Sequence, residues 1–210
     1  MKRLAILGAS GHGRVVADAA LLAGWDEVIF FDDAFPKKQT TGGWQVLGNT
    51  DELVKLAGTI DGVVVAIGDN STRVAKQREM VKAKIVIATV LHPAAVVSSR
   101  ARLGLGSVVM AGAVVNPFAT LGAACIVNTS ASVDHDCVLG DGVHISPGAR
   151  LGGTVRVGNE SWIGIGAAVR EGISIGANVR IGAGAAVVDD VPDGLTVGGV
   201  PARPLEKRSR

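Results

Sequence analysis

From Val97 to Val187 an aliphatic residue recurs at every sixth position: Val97, Leu103, Val109, Val115, Leu121, Val127, Val133, Leu139, Ile145, Leu151, Val157, Ile163, Val169, Ile175, Ile181 and Val187. A period of six fits neither an α-helix nor a flat strand. Four residues after each of these comes a second, smaller series, including Ala101, Ser107, Ala113, Ala119, Cys125, Ala131 and Cys137. The residue directly after each hit is often Gly104, Asn116, Gly122, Asn128, Asp134 or Gly140, types that tolerate turn conformations. One large inward residue, one small one and a turn make one side of a coil. Three sides close a triangle of about eighteen residues, and stacking sets each strand ~4.8 Å from the strand one coil later. The expected architecture is a parallel β-helix in which Val97, Val115, Val133, Leu151, Val169 and Val187 form one internal ladder. The period alone does not give the hand of the coil.

Composition agrees. The chain is 48% hydrophobic yet has only four Phe, three Trp and no Tyr, with 29 glycines, so its core must be built from Val, Ile, Leu and Ala joined by tight turns. A net charge of +2 argues against nucleic acid or an anionic membrane as partner. No apolar run reaches membrane-spanning length, and Leu4–Leu7 is too short for a signal-peptide core. Cys125 and Cys137 follow neither a disulfide nor a metal spacing, so a cytoplasmic location is expected.

The first ninety residues read differently. Strand-like runs at Leu4–Leu7, Val28–Phe31, Val63–Ile67 and Ile85–Thr89 alternate with helix-like runs at Arg14–Leu22, Asp51–Leu56 and Thr72–Val81. That order predicts a small Rossmann-like α/β domain with a parallel sheet and a ligand edge at the strand C-termini. After the first strand comes Gly8-Ala-Ser-Gly11-His12-Gly13-Arg14, where glycines let the backbone approach phosphate at a helix N-terminus. Asp32 and Asp33 follow the second strand, where a carboxylate can accept from ribose or base. Ile67-Gly68-Asp69-Asn70-Ser-Thr-Arg73 follows the third, and Asp69 and Asn70 also suit helix N-capping. Ninety residues is short for a dinucleotide fold, which favours a mononucleotide. His92-Pro93 reads as a linker. The expected domains are 1–90 for nucleotide-sugar binding, 91–190 for the β-helix, and 191–210 for a C-terminal segment and tail.

Of four histidines, only His135 and His144 lie within the repeat. His135 stands two residues after inward Val133, between Asp134 and Asp136, so its side chain should reach outside the prism. Imidazole is suited to take the proton from an amine or hydroxyl attacking a thioester, and Asp136 or Asp134 would fix its tautomer. The same spacing fits a solvated surface histidine flanked by acids.

The run Asn-Thr-x-x-x-Val-Asp-His-Asp-Cys-Val-Leu-Gly from Asn128, followed by Val143-His144-Ile-Ser-Pro-Gly-Ala149, resembles the bacterial nucleotide-amino-sugar acetyltransferases. These hexapeptide-repeat enzymes, whose coils wind left-handed, make the 4-acetamido groups of bacillosamine-type and perosamine-type sugars; sialic acid O-acetyltransferases share the architecture. The resemblance implies a left-handed β-helix after the α/β domain and N-acetylation, from acetyl-CoA, of a nucleotide-linked 4-amino-4,6-dideoxy sugar, with UDP ahead of GDP. His135 would be the general base and Asp136 its orienter, an Asp where the family often has Glu. His144 would lie near the thioester, and a backbone N–H near Gly153 would stabilise the oxyanion. The Gly11, His12, Gly13, Asp32, Asp33, Asn70 and Arg73 segments would frame the nucleotide. Val197-Gly-Gly199-Val-Pro-Ala-Arg203 is similar to a tail segment that closes over CoA, with Arg203 set to meet a phosphate. Family members are homotrimers with active sites between neighbouring β-helices. Three alternatives stand beside this reading: sugar O-acetylation, a zinc-dependent β-helix hydratase, and a non-catalytic nucleotide-binding assembly protein. The second requires three histidines on one metal, and the coils supply two, so no metal is expected.

Overall fold

The computed structural model describes residues 1–205; Lys207, Arg208 and Arg210 of the basic tail lie outside the described residues. The chain forms two compact units, residues 1–93 and the residues from 94 onward.

In the first unit, β1 (Arg3–Leu7) is the middle strand of a parallel sheet, between β2 (Glu27–Phe31) and β5 (Gly62–Val65). Leu4, Ala5, Ile6 and Leu7 are all buried, as expected of a strand covered on both faces. Helices α1 (Gly11–Leu22), α2 (Thr50–Lys55) and α3 (Asn70–Lys82) complete the unit. Asn49 caps α2 with Glu52 reaching back, a reciprocal capping box. Asp69, not Asn70, is the N-cap of α3, accepting from the Thr72 N–H at 2.9 Å. A short hairpin, β3 (Thr40–Thr41) and β4 (Trp44–Gln45), was not anticipated from the sequence. It brings Trp44 to 5.6 Å from Phe30, ring to ring.

The strand expected at Ile85–Thr89 is a single bridge between Ile87 and Val63. Two hydrogen bonds, Val63 N–H to Val86 and Ala88 N–H to Val63, are all that tie it to β5. Its apolar residues suggest a longer strand, but Val86 is exposed and no strand among the described residues pairs with its outer edge.

The second unit is a parallel β-helix. Its first face stacks the strands ending at Val97, Val115, Val133, Leu151, Val169 and Val187. The second face stacks those ending at Leu103, Leu121, Leu139, Val157 and Ile175, and the third those ending at Val109, Val127, Ile145, Ile163 and Ile181. Every aliphatic of the six-residue series from Val109 onward is buried, and so is the smaller series between them. Each fully buried aliphatic side chain contributes ~1.5–3 kcal/mol.

The turn chemistry differs from the expectation. From Leu103 to Ile181, left-handed backbone falls three residues after each inward aliphatic, as at Gly106, Gly112, Phe118, Ala124, Ser130, Asp136, Gly142, Gly148 and Thr154, not one residue after it. The glycines directly after the aliphatics answer a different need. A Cβ on Gly122 would stand 2.6 Å from the Asp141 nitrogen of the next coil, so these positions are kept bare by stacking.

The last coil is two residues short. Val191 bridges Ile175 and Val197 pairs with Ile181, each across sixteen residues, before Arg203–Pro204 returns antiparallel on Thr196–Gly198. No helix among the described residues is long and apolar enough to cross a membrane.

Candidate active site

His135 occupies the corner between the first and second faces, in the turn joining Ser132–Val133 to Val138–Leu139. Inward Val133 forces the chain outward over the next residues, and the imidazole is 57% exposed. Its Nδ1 lies 2.8 Å from Asp136 Oδ2. A carboxylate can only accept, so Nδ1 carries the proton and Nε2 is left with a lone pair. The hydrogen bond that Nδ1–H donates to Asp136, aided by the charges of Asp134 and Asp136, holds the imidazole pKa above its ordinary 6.5.

Asp134 has another task. Its Oδ1 accepts the His135 N–H at 2.7 Å and the Asn116 amide at 2.8 Å from the preceding coil, and these bonds hold its carboxyl below the usual range. On the following coil, Gly153 faces the ring: a Cβ there would stand 2.6 Å from both Nε2 and Cε1. At the matching turn position on other corners, the Ala123, Asp141 and Ala177 N–H groups donate to Asp141, Asn159 and Asp193 side chains. The Gly153 N–H donates to no acceptor among the described residues.

His144 is on the third face, the side of the prism opposite that corner, so one chain does not bring the two histidines together. It is 5% exposed, with its ring 4.3 Å from that of Trp162 on the next coil. Asn128 Nδ2 lies 3.1 Å from His144 Nε2, and the Thr129 N–H fixes the amide by donating to Asn128 Oδ1 at 2.8 Å. His144 Nε2 therefore accepts, and Nδ1 bears the proton. Beside it, Ser146 is fully buried and its Oγ has no hydrogen-bond partner among the described residues. Asn128, Trp162 and Ser146 were not singled out from the sequence; the signal was register, since Asn128 and Ser146 occupy one position on successive coils.

In the first unit, a cleft of about 250 Å³ opens at the C-terminal edge of the sheet, lined by Leu7, Gly8, Ser10, Asp32, Asp33, Ile67, Gly68 and Thr72. Asp32 clamps the glycine loop by accepting the Ala9 N–H at 2.8 Å, and also meets Ala34 N–H and Lys38. Burial alone would raise its pKa; these donors outweigh it and hold the carboxyl below the usual range. Asp33 is held the same way by Lys76 at 2.8 Å and by Thr50. Gly8 (φ +115°) and Gly13 are kept small by close backbone, Gly13 by the Gly8 carbonyl, whereas Gly11 is exposed.

Arg73, Asn70 and His12 stand behind the cleft lining. Arg73 is 1% exposed and donates to the Ile67 and Gly68 carbonyls and to Asn70 Oδ1 at 2.8–3.1 Å. Burial, then the Arg73 charge, push the His12 pKa down to about 4, so it is neutral at pH 7. At the C-terminus, Gly199 is exposed with φ +93°, and Arg203 is tied to Asp189 at 3.1 Å and to the Ala202 carbonyl. Among the described residues, no three His, Cys, Asp or Glu side chains gather as a metal site.

Residues 3–80 match the model of the PglD N-terminal domain, and residues 154–188 match that of the bacterial transferase hexapeptide (six repeats). The acetyltransferase domain of PglB from Neisseria gonorrhoeae, solved with acetyl coenzyme A, is 44% identical over 97% of this chain and 99% of its own, with a TM-score of 0.93. The chain belongs to the bacterial hexapeptide-repeat sugar acetyltransferases. PerB from Caulobacter crescentus, solved with CoA and GDP-perosamine, is 36% identical over 98% of both chains at a TM-score of 0.93. WeeI from Acinetobacter baumannii is 28% identical, covering 98% of this chain and 100% of its own at 0.83. No curated protein matches this acetyltransferase.

Proposed function

We propose that this acetyltransferase moves acetyl from acetyl-CoA to the 4-amino group of a nucleotide-linked 4-amino-4,6-dideoxy sugar, with UDP the preferred nucleotide and His135 the general base. The observation that carries this is the exposed His135–Asp136 pair with its free Nε2 turned to Gly153. The amine attacks the thioester carbonyl and forms the C–N bond. His135 Nε2 takes the amine proton while Asp136 stabilises the imidazolium. The oxyanion accepts from the Gly153 N–H, an unengaged donor beside the base. Collapse breaks the C–S bond, and His135 returns the proton to the departing CoA sulfur. Products are an acetamido sugar and CoA.

The nucleotide occupies the cleft beside Asp32 and Asp33. Arg73, Asn70, His12, Gly11 and Gly13 shape the loops around it. His144 and Gly153 serve the acetyl end of the cosubstrate, and Gly199 and Arg203 its nucleotide end, with Arg203 exchanging Asp189 for a phosphate. Because His135 and His144 lie on opposite sides of one prism, an acetyl group near His144 meets the His135 of a neighbouring copy. The working form is a homotrimer.

The test incubates purified protein with acetyl-CoA and UDP- or GDP-linked 4-amino sugars and follows free thiol. A base-stable amide product is expected, and none from His135→Ala. A product cleaved by mild base would instead indicate O-acetylation. Mixed His135→Ala and His144→Ala chains should recover part of the activity if subunits share sites; no recovery would count against the shared site.

A further inference from the structure

The corner that carries His135 also carries two residues the mechanism does not use, Phe118 and Arg100, at the same turn one and two coils earlier. Of the seven aromatic residues, all described, six are buried or half-buried, and only Phe118 is exposed, at 56%. Its backbone is also costly. Phe118 has φ +64°, a region in which a bulky side chain costs ~1–2 kcal/mol. Comparable turns use Gly106, Gly112, Gly142, Ala124 or Ser130. Thr154, at this turn two coils later, is also strained at φ +62°, but its hydroxyl bonds the Gly153 carbonyl at 2.6 Å. Phe118 has no such polar atom, so neither burial nor local bonding accounts for an aromatic ring at this position.

Its neighbours are specific. The Arg100 guanidinium lies 5.8 Å from the Phe118 ring centroid. The Asp136 N–H donates to the Pro117 carbonyl at 3.2 Å, which locks the Phe118 turn against the turn of His135. Cation, aromatic ring and imidazole thus occupy one corner on three successive coils, with steps of ~4.8 Å.

We propose that Arg100, Phe118 and His135 form a track for the substrate's sugar phosphate, in which Phe118 is the platform for the apolar face of the deoxysugar ring and Arg100 the cation for its anomeric phosphate. This rests on the reading of His135 as base toward a 4-amino sugar. In a pyranose, C4 and C1 lie at opposite ends of the ring. With the C4 amine at His135 Nε2, the sugar runs back along this corner, its ring toward the Phe118 turn and its phosphate toward the Arg100 turn. A sugar lacking the C6 hydroxyl presents C–H groups and a methyl, which suit an aromatic face better than water. Arg100 supplies fixed charge to the anionic end.

The experiment compares wild type with Phe118→Ala, Phe118→Gly and Arg100→Met by calorimetry. The probes are UDP and GDP, then the UDP-linked 4-amino-4,6-dideoxyhexose and GDP-perosamine. Both Phe118 variants should bind the sugar-bearing ligand roughly tenfold more weakly while binding the free nucleotide as before. KM for acetyl-CoA should not move. Phe118→Gly should melt higher than Phe118→Ala, because it relieves the backbone while still removing the platform. Arg100→Met should weaken the sugar nucleotide and flatten the salt dependence of its binding. Unchanged affinity in the Phe118 variants, no binding of either sugar nucleotide by wild type, or a loss that tracks a change in oligomeric mass would overturn the proposal. If wild type binds the amino sugar without acetylating it, the reading of His135 fails, while the Phe118 difference in binding still decides the track.

Discussion

His135 and Gly153 stand eighteen residues apart at the same turn of adjacent coils, and the imidazole fills the space that a side chain at 153 would need. Gly153→Ala should therefore push the ring off its position without disturbing the inward ladder. A displacement of about 1 Å at a reacting group costs ~100-fold in rate. We expect kcat to fall by about that factor with the melting temperature nearly unchanged, read by steady-state kinetics beside a thermal scan. Full activity in this variant would mean that Nε2 does not need its present seat.

The base must be neutral to act, and Asp136 raises the pKa of His135 above 6.5. kcat/KM should climb with pH through that raised value. In Asp136→Asn the rising limb should move down toward 6.5, with maximal activity reduced because the ring loses its fixed tautomer. Stability runs the other way. A group with a raised folded pKa contributes below its unfolded pKa and loses that contribution as pH rises through the folded value. The melting temperature of wild type should fall slightly over the interval in which activity rises.

His12 offers a second titration of opposite sign. With a folded pKa of about 4 it stays neutral while the unfolded chain takes up a proton near 6.5. Stability should decline as pH falls from 6.5 toward 4. Arg73→Met removes the second cause of that shift but leaves burial, so the His12 pKa should rise only part of the way, as NMR titration would show. The same variant frees the Ile67 and Gly68 carbonyls and should weaken nucleotide binding about tenfold.

Leu139 lies in the middle of the second face, 2% exposed between Leu121 and Val157. Leu139→Ala should cost ~2–5 kcal/mol, since coils above and below are held too rigidly to close the gap. Chemical denaturation will measure this, and a loss below 1 kcal/mol would indicate a looser interior.

The solenoid was legible because one residue type returns at one spacing, and each inward aliphatic sits where the count puts it. His135 was legible for the same reason, two residues past Val133. The role of the glycines was not. Gly122 and Gly153 are small because of atoms eighteen or nineteen residues away, and a single turn in isolation cannot reveal that. The contact of Asn128 with His144 has no local signature, because it is made across a coil. Apolar content at 85–89 suggests a strand, but among the described residues only two backbone hydrogen bonds tie that run to Gly62–Val65.

A solenoid of identical steps has no intrinsic reason to stop, and its open end offers unpaired strands to any other such end. The shortened final coil, with Val197 set opposite Ile181 and the chain doubling back at Arg203–Pro204, breaks the step and turns the last rung of the third face into a hairpin. Length is thereby written into the chain, and an insertion of two residues that restored the eighteen-residue step, combined with removal of the return strand, would be expected to yield filaments.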